Sequence, residues 1–251
     1  MTMHNPKPEL KARLQAGEAV GCHWLMLGAP QLAEMAAEGE PDVLVIDMQH
    51  GPWSRASLDA ALGLIAGRAP TLARVQDASD FAIGSALDAG CCGVIAPMVN
   101  SPAEAASVVA ATHFPPKGRR SSGGLRVGAP GYREAAAANM IAAVMIETRE
   151  ALDAAEAIAA TPGLDLIFIG PQDLSLSLGV APGSEPFEAA LKQILTAGKA
   201  AGVPVGLYTA GPEAAIARAA EGFQFLVVAN DGQIARAGAR DAWRQFAKRR
   251  G

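Results

Sequence analysis

The stretch that decides the fold is Asp42-Val43-Leu44-Val45-Ile46-Asp47-Met48-Gln49-His50-Gly51-Pro52. An apolar run of strand length, rich in β-branched residues, ends on an acid, an amide and a histidine, and a glycine-proline turn follows. A parallel strand buried on both faces reads as such a continuous apolar run. Polar residues at its C-terminal end sit where the strands of an α/β barrel gather their side chains at one mouth. On spacing alone the Asp47/His50 pair has two readings, a hydrogen-bonded pair that holds a turn or a catalytic pair tuned near neutrality.

Working outward, apolar β-prone runs recur at 19–25, 42–47, 71–75, 93–97, 142–147, 165–170, 203–208 and 224–229. Between them the segments 29–38, 55–66, 79–89, 102–111, 148–160, 186–201 and 212–221 carry helix formers with apolar positions at helical spacing. Ser101-Pro102 and Gly211-Pro212 place proline in a first helical turn, where its missing N–H costs least. Eight strand-like runs alternating with helices predict an α/β fold, a (β/α)8 TIM barrel. A chain of 251 residues suits one such domain spanning 1–251. The stretch from Phe114 to Met140 breaks the rhythm: it is rich in glycine and proline and longer than an ordinary connection. Coming after the fourth strand, it is expected over the mouth, as a lid or as a mobile insertion, with its arginines as candidates for an anionic ligand.

Composition excludes several classes. A net charge of −4 gives no reason to expect nucleic acid or an anionic membrane as partner. The Lys248-Arg249-Arg250 cluster reads as a solvated end. Three cysteines, two of them adjacent as Cys91-Cys92, form no disulfide framework and have no zinc-type spacing, so they read as packing thiols in a reducing compartment. Lys7, Glu9, Lys11 and Arg13 interrupt any signal-type apolar core, and no run reaches the roughly 18 apolar residues of a membrane span. A cytoplasmic protein is expected.

Polar residues at the strand ends form a short list: Asp47, Gln49, His50, Arg74, Glu147 and Asp173. An arginine and a glutamate within buried strands need a counter-charge or a metal. Glu147 and Asp173, from neighbouring strands, suit a hard divalent cation that keeps positions open for water and substrate oxygens. Salt bridges to Arg74 or a loop arginine are the alternative. In Ile169-Gly170-Pro171-Gln172-Asp173-Leu174-Ser175, Gly170 lets backbone approach a ligand and the following N–H groups suit an anion.

Taken in order, Ile46-Asp47-Met48-Gln49-His50, Ala96-Pro97-Met98-Val99, Phe114-Pro115-Pro116-Lys117-Gly118-Arg119-Arg120, Ile146-Glu147-Thr148-Arg149 and Phe168-Ile169-Gly170-Pro171-Gln172-Asp173-Leu174-Ser175 resemble the HpcH/HpaI aldolases, from Trp24 to about Asp231. The likeness is to the 4-hydroxy-2-oxoheptane-1,7-dioate and 2-dehydro-3-deoxyglucarate aldolase branch. It implies a class II aldolase on a TIM barrel of the phosphoenolpyruvate/pyruvate-binding type, using Mg²⁺ or Mn²⁺, with Co²⁺ as a further option. It implies that Glu147 and Asp173 bind the metal, and that the N–H groups of Gln172 and Asp173, after Gly170, hold a pyruvate carboxylate. By the same likeness His50 and Asp47 transfer a proton, Arg74 holds the keto or enolate oxygen, and Asp88 reaches a neighbouring subunit's site in a homohexamer. Trp24 and Leu207 match positions that wall the pocket. Two departures stand out. Gln49 replaces a glutamate common in relatives, so it hydrogen-bonds near the metal without adding charge. The stretch Arg120-Ser121-Ser122-Gly123-Gly124 differs in detail from the relatives' glycine-rich loop.

The expected chemistry joins an enolate of pyruvate or hydroxypyruvate to an aldehyde, or cleaves the 4-hydroxy-2-oxo acid product. No expected strand contains a lysine, which argues against a Schiff-base aldolase. A CoA-ester lyase, an enolate-forming decarboxylase and a non-catalytic oxo-acid-binding protein are the competing readings. The CoA reading requires a basic groove, and Gln49 favours the non-catalytic one.

Overall fold

The computed structural model describes residues 9–124 and 129–250. Its strands are β1 (Val20–Leu25), β2 (Val43–Asp47), β3 (Thr71–Arg74), β4 (Gly93–Ala96), β5 (Ile141–Ile146), β6 (Leu166–Ile169), β7 (Val205–Leu207) and β8 (Phe225–Asn230). Each pairs in parallel with the next, and β8 pairs with β1 to close the barrel, as the sequence predicts. The helices are α1 (Glu9–Gln15), α2 (Pro30–Glu38), α3 (Arg55–Leu64), α4 (Asp80–Ala89), α5 (Pro102–Thr112), α6 (Tyr132–Asn139), α7 (Arg149–Asp153), α8 (Ala155–Ala159), α9 (Pro171–Leu178), α10 (Glu185–Ala201), α11 (Pro212–Glu221) and α12 (Asp231–Arg250). The segment 148–160, expected as one helix, is broken at Ala154 into α7 and α8.

Local chemistry sets the helix starts. The side chains of Ser54, Ser79, Ser101 and Thr148 each accept a hydrogen bond from a backbone N–H in the first turn of α3, α4, α5 and α7, contributing about 1 kcal/mol apiece. These caps fix the connections that leave the strands at the mouth.

Alternation along the strands sorts side chains into two cores. Cys22, Trp24, Val43, Val45, Leu72, Ala143, Met145, Phe168 and Phe225 fill the barrel interior. Leu25, Leu44, Ile46, Ala73, Val144, Ile146, Ile169 and Leu207 pack outward against the helices. The period of two then places Asp47 after Val45, Arg74 after Leu72, Glu147 after Met145 and Gly170 after Phe168 on the inner side at the mouth. Leu10 and Leu14 of α1 join the inner cluster, next to Val20 at the start of β1.

The expectation for 114–140 is corrected on two counts. Tyr132–Asn139 is helix α6. The described part of the segment also lies against the outer face of α4 and α5 rather than over the mouth: Arg119 bonds to Asp80 and Ser107, and Arg120 pairs with Asp88 in the last turn of α4. The physical reason is topological, because this stretch follows α5, which has already carried the chain away from the mouth; residues 125–128 fall outside the described residues. No helix among the described residues is long and apolar enough to cross a membrane. Cys92 is a packing thiol as expected, donating to the carbonyl of Thr71 at 3.3 Å, with burial pushing it up to about 12.

Candidate active site at the barrel mouth

The first half of the mouth is built on β2 and β3, whose register sets Asp47 directly beside Arg74. Asp47 is fully buried and Arg74 nearly so. Arg74 Nε donates to Asp47 Oδ1 at 2.9 Å, and Nη2 donates to Oδ2, a bidentate fork that also fixes the guanidinium plane. The Trp24 indole N–H donates to Oδ2 at 3.0 Å, and the Arg74 guanidinium lies 5.2 Å from the Trp24 ring centroid. The backbone N–H groups of Gln49 and His50 donate to Oδ1 at 3.1 Å each. Burial alone would raise the Asp47 carboxyl, but the bonds and charge of Arg74, the indole and the His50 N–H together hold it below its ordinary value. Asp47 therefore meets His50 through the main chain. Its carboxylate orients Arg74 and the turn that presents the exposed His50.

The second half lies across the barrel, on β5 and β6. Glu147 is almost wholly buried. Its Oε1 accepts from the Met98 N–H at 2.7 Å, while Oε2 is buried with no hydrogen-bond partner. Met98 adopts a left-handed φ of 56°, uncommon for a residue with a side chain, in the turn that delivers this N–H. Burial pushes the Glu147 carboxyl up, the Met98 bond opposes this, and the charge of Asp173 adds to the rise. A Cβ on Gly170 would stand 2.5 Å from Glu147 Oε2, so glycine is what keeps the space around that oxygen open. Asp173 is exposed in the first turn of α9. With Pro171 lacking an N–H, the first free donors of that helix are the amides of Gln172 and Asp173. An orphaned buried carboxylate oxygen, a second carboxylate nearby and a glycine cradle fit a hard divalent cation that supplies most of its shell from water or ligand oxygens. No cluster of three or more His, Cys, Asp or Glu suited to a metal occurs among the described residues, so any such ion would rest on two carboxylates.

The other sequence candidates fall in different places. Trp24 has no exposed surface and forms the floor, stacked on Phe168 at 5.2 Å. Leu207 belongs to the outward, helix-facing core, so it does not wall the pocket. Its neighbour Tyr208 does, edge-to-face with Trp24 at a centroid separation of 5.4 Å and its hydroxyl accepting from Asn230 Nδ2 at 2.7 Å. The alternation through β7 carries the signal for this: Gly206 faces inward, where a Cβ would meet Phe225 and Phe168 below 3.0 Å, so Tyr208 faces inward too. Asp88 sits away from this constellation, paired with Arg120 at 2.8 Å. Gln49 lines a mouth-side pocket of ≈ 320 Å³ together with Gln76, Asp77, Ala78, Pro97, Met98, Val99 and Glu104. Its Oε1 is buried and unpartnered. Gln76, Asp77, Glu104, Tyr208 and Asn230 are polar residues at the mouth that the sequence reading missed.

Comparison with known proteins agrees with this geometry. The chain is 39% identical over 226 residues, 86% of its length and 90% of the relative's, to a hydroxypyruvate/pyruvate aldolase of Rhizorhabdus wittichii. It is 34% identical over 249 residues, 92% of its length and 95% of the relative's, to a 4-hydroxy-2-oxovalerate aldolase of Novosphingobium aromaticivorans. The crystal structure of an HpcH/HpaI aldolase/citrate lyase family protein from Burkholderia cenocepacia superposes with a TM-score of 0.90 at 32% identity, covering 96% of this chain and all of that one. Residues 21–237 match the family pattern itself, and the chain belongs to the HpcH/HpaI aldolase/citrate lyase family.

Proposed function

We propose that this protein is a metal-dependent, class II aldolase that joins a pyruvate-type enolate to an aldehyde and cleaves the resulting 4-hydroxy-2-oxo acid. The observation that carries the reading is the buried, unpartnered Oε2 of Glu147, facing Gly170 beside the first turn of α9. Glu147 and Asp173 would hold a divalent cation such as Mg²⁺, Mn²⁺ or Co²⁺, which when bound supplies Lewis acidity toward the keto and carboxylate oxygens of pyruvate. The amides of Gln172 and Asp173 hold the pyruvate carboxylate. Arg74 faces the keto oxygen, and because Asp47 engages only Nε and Nη2, Nη1 is left for that oxygen.

His50, exposed at the lip, carries the proton. The methyl C–H pair becomes the enolate double bond as the proton leaves toward the imidazole, and the carbonyl π pair moves onto oxygen. The enolate carbon then bonds to the aldehyde carbon, and the aldehyde oxygen takes up the proton. Cleavage is the reverse. None of the eight strands contains a lysine, which supports enolate over Schiff-base chemistry. Among the described loop arginines, Arg119 and Arg120 are paired with Asp80 and Asp88, which favours the aldolase reading over the CoA-ester one.

The test is methyl-proton exchange of pyruvate in D₂O with Mn²⁺, followed by NMR. Exchange that falls about 10³-fold in Glu147→Ala and Asp173→Ala, a size typical of losing transition-state charge stabilisation, is expected. Full exchange in chelated buffer would refute the metal dependence, and none above a His50→Ala control would refute the reading and favour a silent oxo-acid-binding protein.

We also propose a homo-oligomer, the hexamer that the family resemblance implies. α12 supports it: Ile234, Trp243 and Phe246 stand 55%, 66% and 55% exposed on a helix whose side chains are almost all solvent-facing, and large apolar side chains left outside the fold suit an interface between copies. Light scattering should give a multiple of 25.7 kDa; a monomer would refute it.

A further inference from the structure

We infer that the aldehyde partner is a neutral, hydroxyl-bearing one, seated in the pocket between Gln49 and Glu104, and that this chain discriminates against aldehydes bearing a carboxylate. The inference rests on the aldolase reading of the same site and narrows its second substrate. The pocket shares Gln49 and Met98 with the candidate site, and the Met98 N–H is the one that holds Glu147. A guest lodged there lies beside the place where the enolate carbon would form. At ≈ 320 Å³ it is at the small end of ligand pockets, which run from about 300 to 1,000 Å³, so it fits a short acceptor.

The lining sets the guest's chemistry. Among the described residues it carries two acids, Asp77 and Glu104, two amides, Gln49 and Gln76, and no Lys, Arg or His. Asp77 Oδ1 accepts from the Ser79 N–H at 2.8 Å, and Glu104 Oε2 accepts from the Asn100 N–H at 2.6 Å. Each acid therefore keeps its other oxygen outside these bonds and directs it to no cation of the lining. The Ser79 hydroxyl and N–H hold the Asp77 carboxyl below its usual range, so it is ionised at neutral pH. Gln49 Oε1 is buried and lacks a donor. A hydroxyl can fill that vacancy and bond to the free carboxylate oxygens, whereas a carboxylate has no proton to give. A carboxylate guest would also meet two like charges with no counter-ion among the described lining residues, a repulsion that selects against it.

The experiment compares kcat/KM for glyceraldehyde and for succinic semialdehyde, with pyruvate and Mn²⁺, in the wild-type protein and in Asp77→Lys and Glu104→Gln. Pyruvate exchange in D₂O without aldehyde serves as the internal control. The wild type should favour glyceraldehyde by about tenfold or more, the scale of one or two unscreened charges at pocket distances. Asp77→Lys should narrow that ratio about tenfold, chiefly through KM for the semialdehyde, and Glu104→Gln about threefold, with pyruvate exchange still detectable in both. Equal use of the two aldehydes, or a ratio that neither variant moves while exchange persists, overturns this inference alone. Absence of pyruvate exchange in the wild type removes the aldolase reading and this inference with it.

Discussion

The two halves of the mouth use the same type of group in opposite ways. Asp47 and Glu147 are both buried carboxylates at strand ends, yet Asp47 accepts five hydrogen bonds, while Glu147 accepts one and keeps an oxygen empty. The environments drive their protons in opposite directions, down for Asp47 and up for Glu147. Saturation makes the β2/β3 side a rigid scaffold that aims Arg74 and His50. Vacancy makes the β5/β6 side the place where a ligand completes the structure, a division of labour between stability and function that enzymes commonly show.

The contrast is broken most severely by Asp47→Ala. It strands the buried Arg74 guanidinium, so urea denaturation should show a loss of about 3–5 kcal/mol. An unchanged midpoint would mean that the pair is idle. Because folding lowers the Asp47 pKa, its contribution is present above the unfolded value and is lost as pH falls through the folded one. Asp47→Asn should accordingly flatten the acid limb of the stability profile.

Glu147→Gln should act in the opposite sense. It removes an uncompensated buried charge, so the chelated protein should gain about 1–2 kcal/mol in thermal or urea unfolding at neutral pH, while metal affinity collapses. Folding raises the Glu147 pKa, so its favourable contribution is complete below the unfolded value and disappears as pH rises through the folded one. Melts of the chelated wild type should therefore decline across that window, and those of Glu147→Gln should not. A destabilised Glu147→Gln would show that Oε2 has a structural partner after all.

The smallest effect is expected at the wall joining the halves. Tyr208→Phe removes the hydroxyl that accepts from Asn230 and should cost about 0.5–1.5 kcal/mol, with a modest rise in KM for pyruvate. An identical change on trimming Leu207, which lies behind the strand, would undo the assignment of Tyr208 to the pocket.

What was legible in the sequence was the part that one-dimensional period encodes. The apolar runs located all eight strands, and their polar ends named Asp47, Arg74, Glu147 and Asp173. Register is not legible: that Asp47 lies beside Arg74 follows from which residues of β2 and β3 align, a pairing that no local pattern encodes. Leu207 packs outward while Tyr208 meets Trp24, because in a strand one residue reverses the face. Helix α9 was hidden because its eight residues follow Gly170, open with Pro171 and carry only a short apolar pattern. Helix α12 was hidden for a different reason, since a polar helix with few contacts to its own barrel leaves little periodic imprint. Asp88 depends on what lies beyond a single chain, and its pairing with Arg120 is all that one chain displays.

The aromatic floor of Trp24, Phe168 and Phe225 has a kinetic corollary. A basin closed below has a single doorway, so of two reactants the one seated deeper must enter first and leave last. With pyruvate against Arg74 and the aldehyde toward Glu104, turnover should follow an ordered sequence, and pyruvate should be a competitive inhibitor of cleavage while the aldehyde is a noncompetitive one.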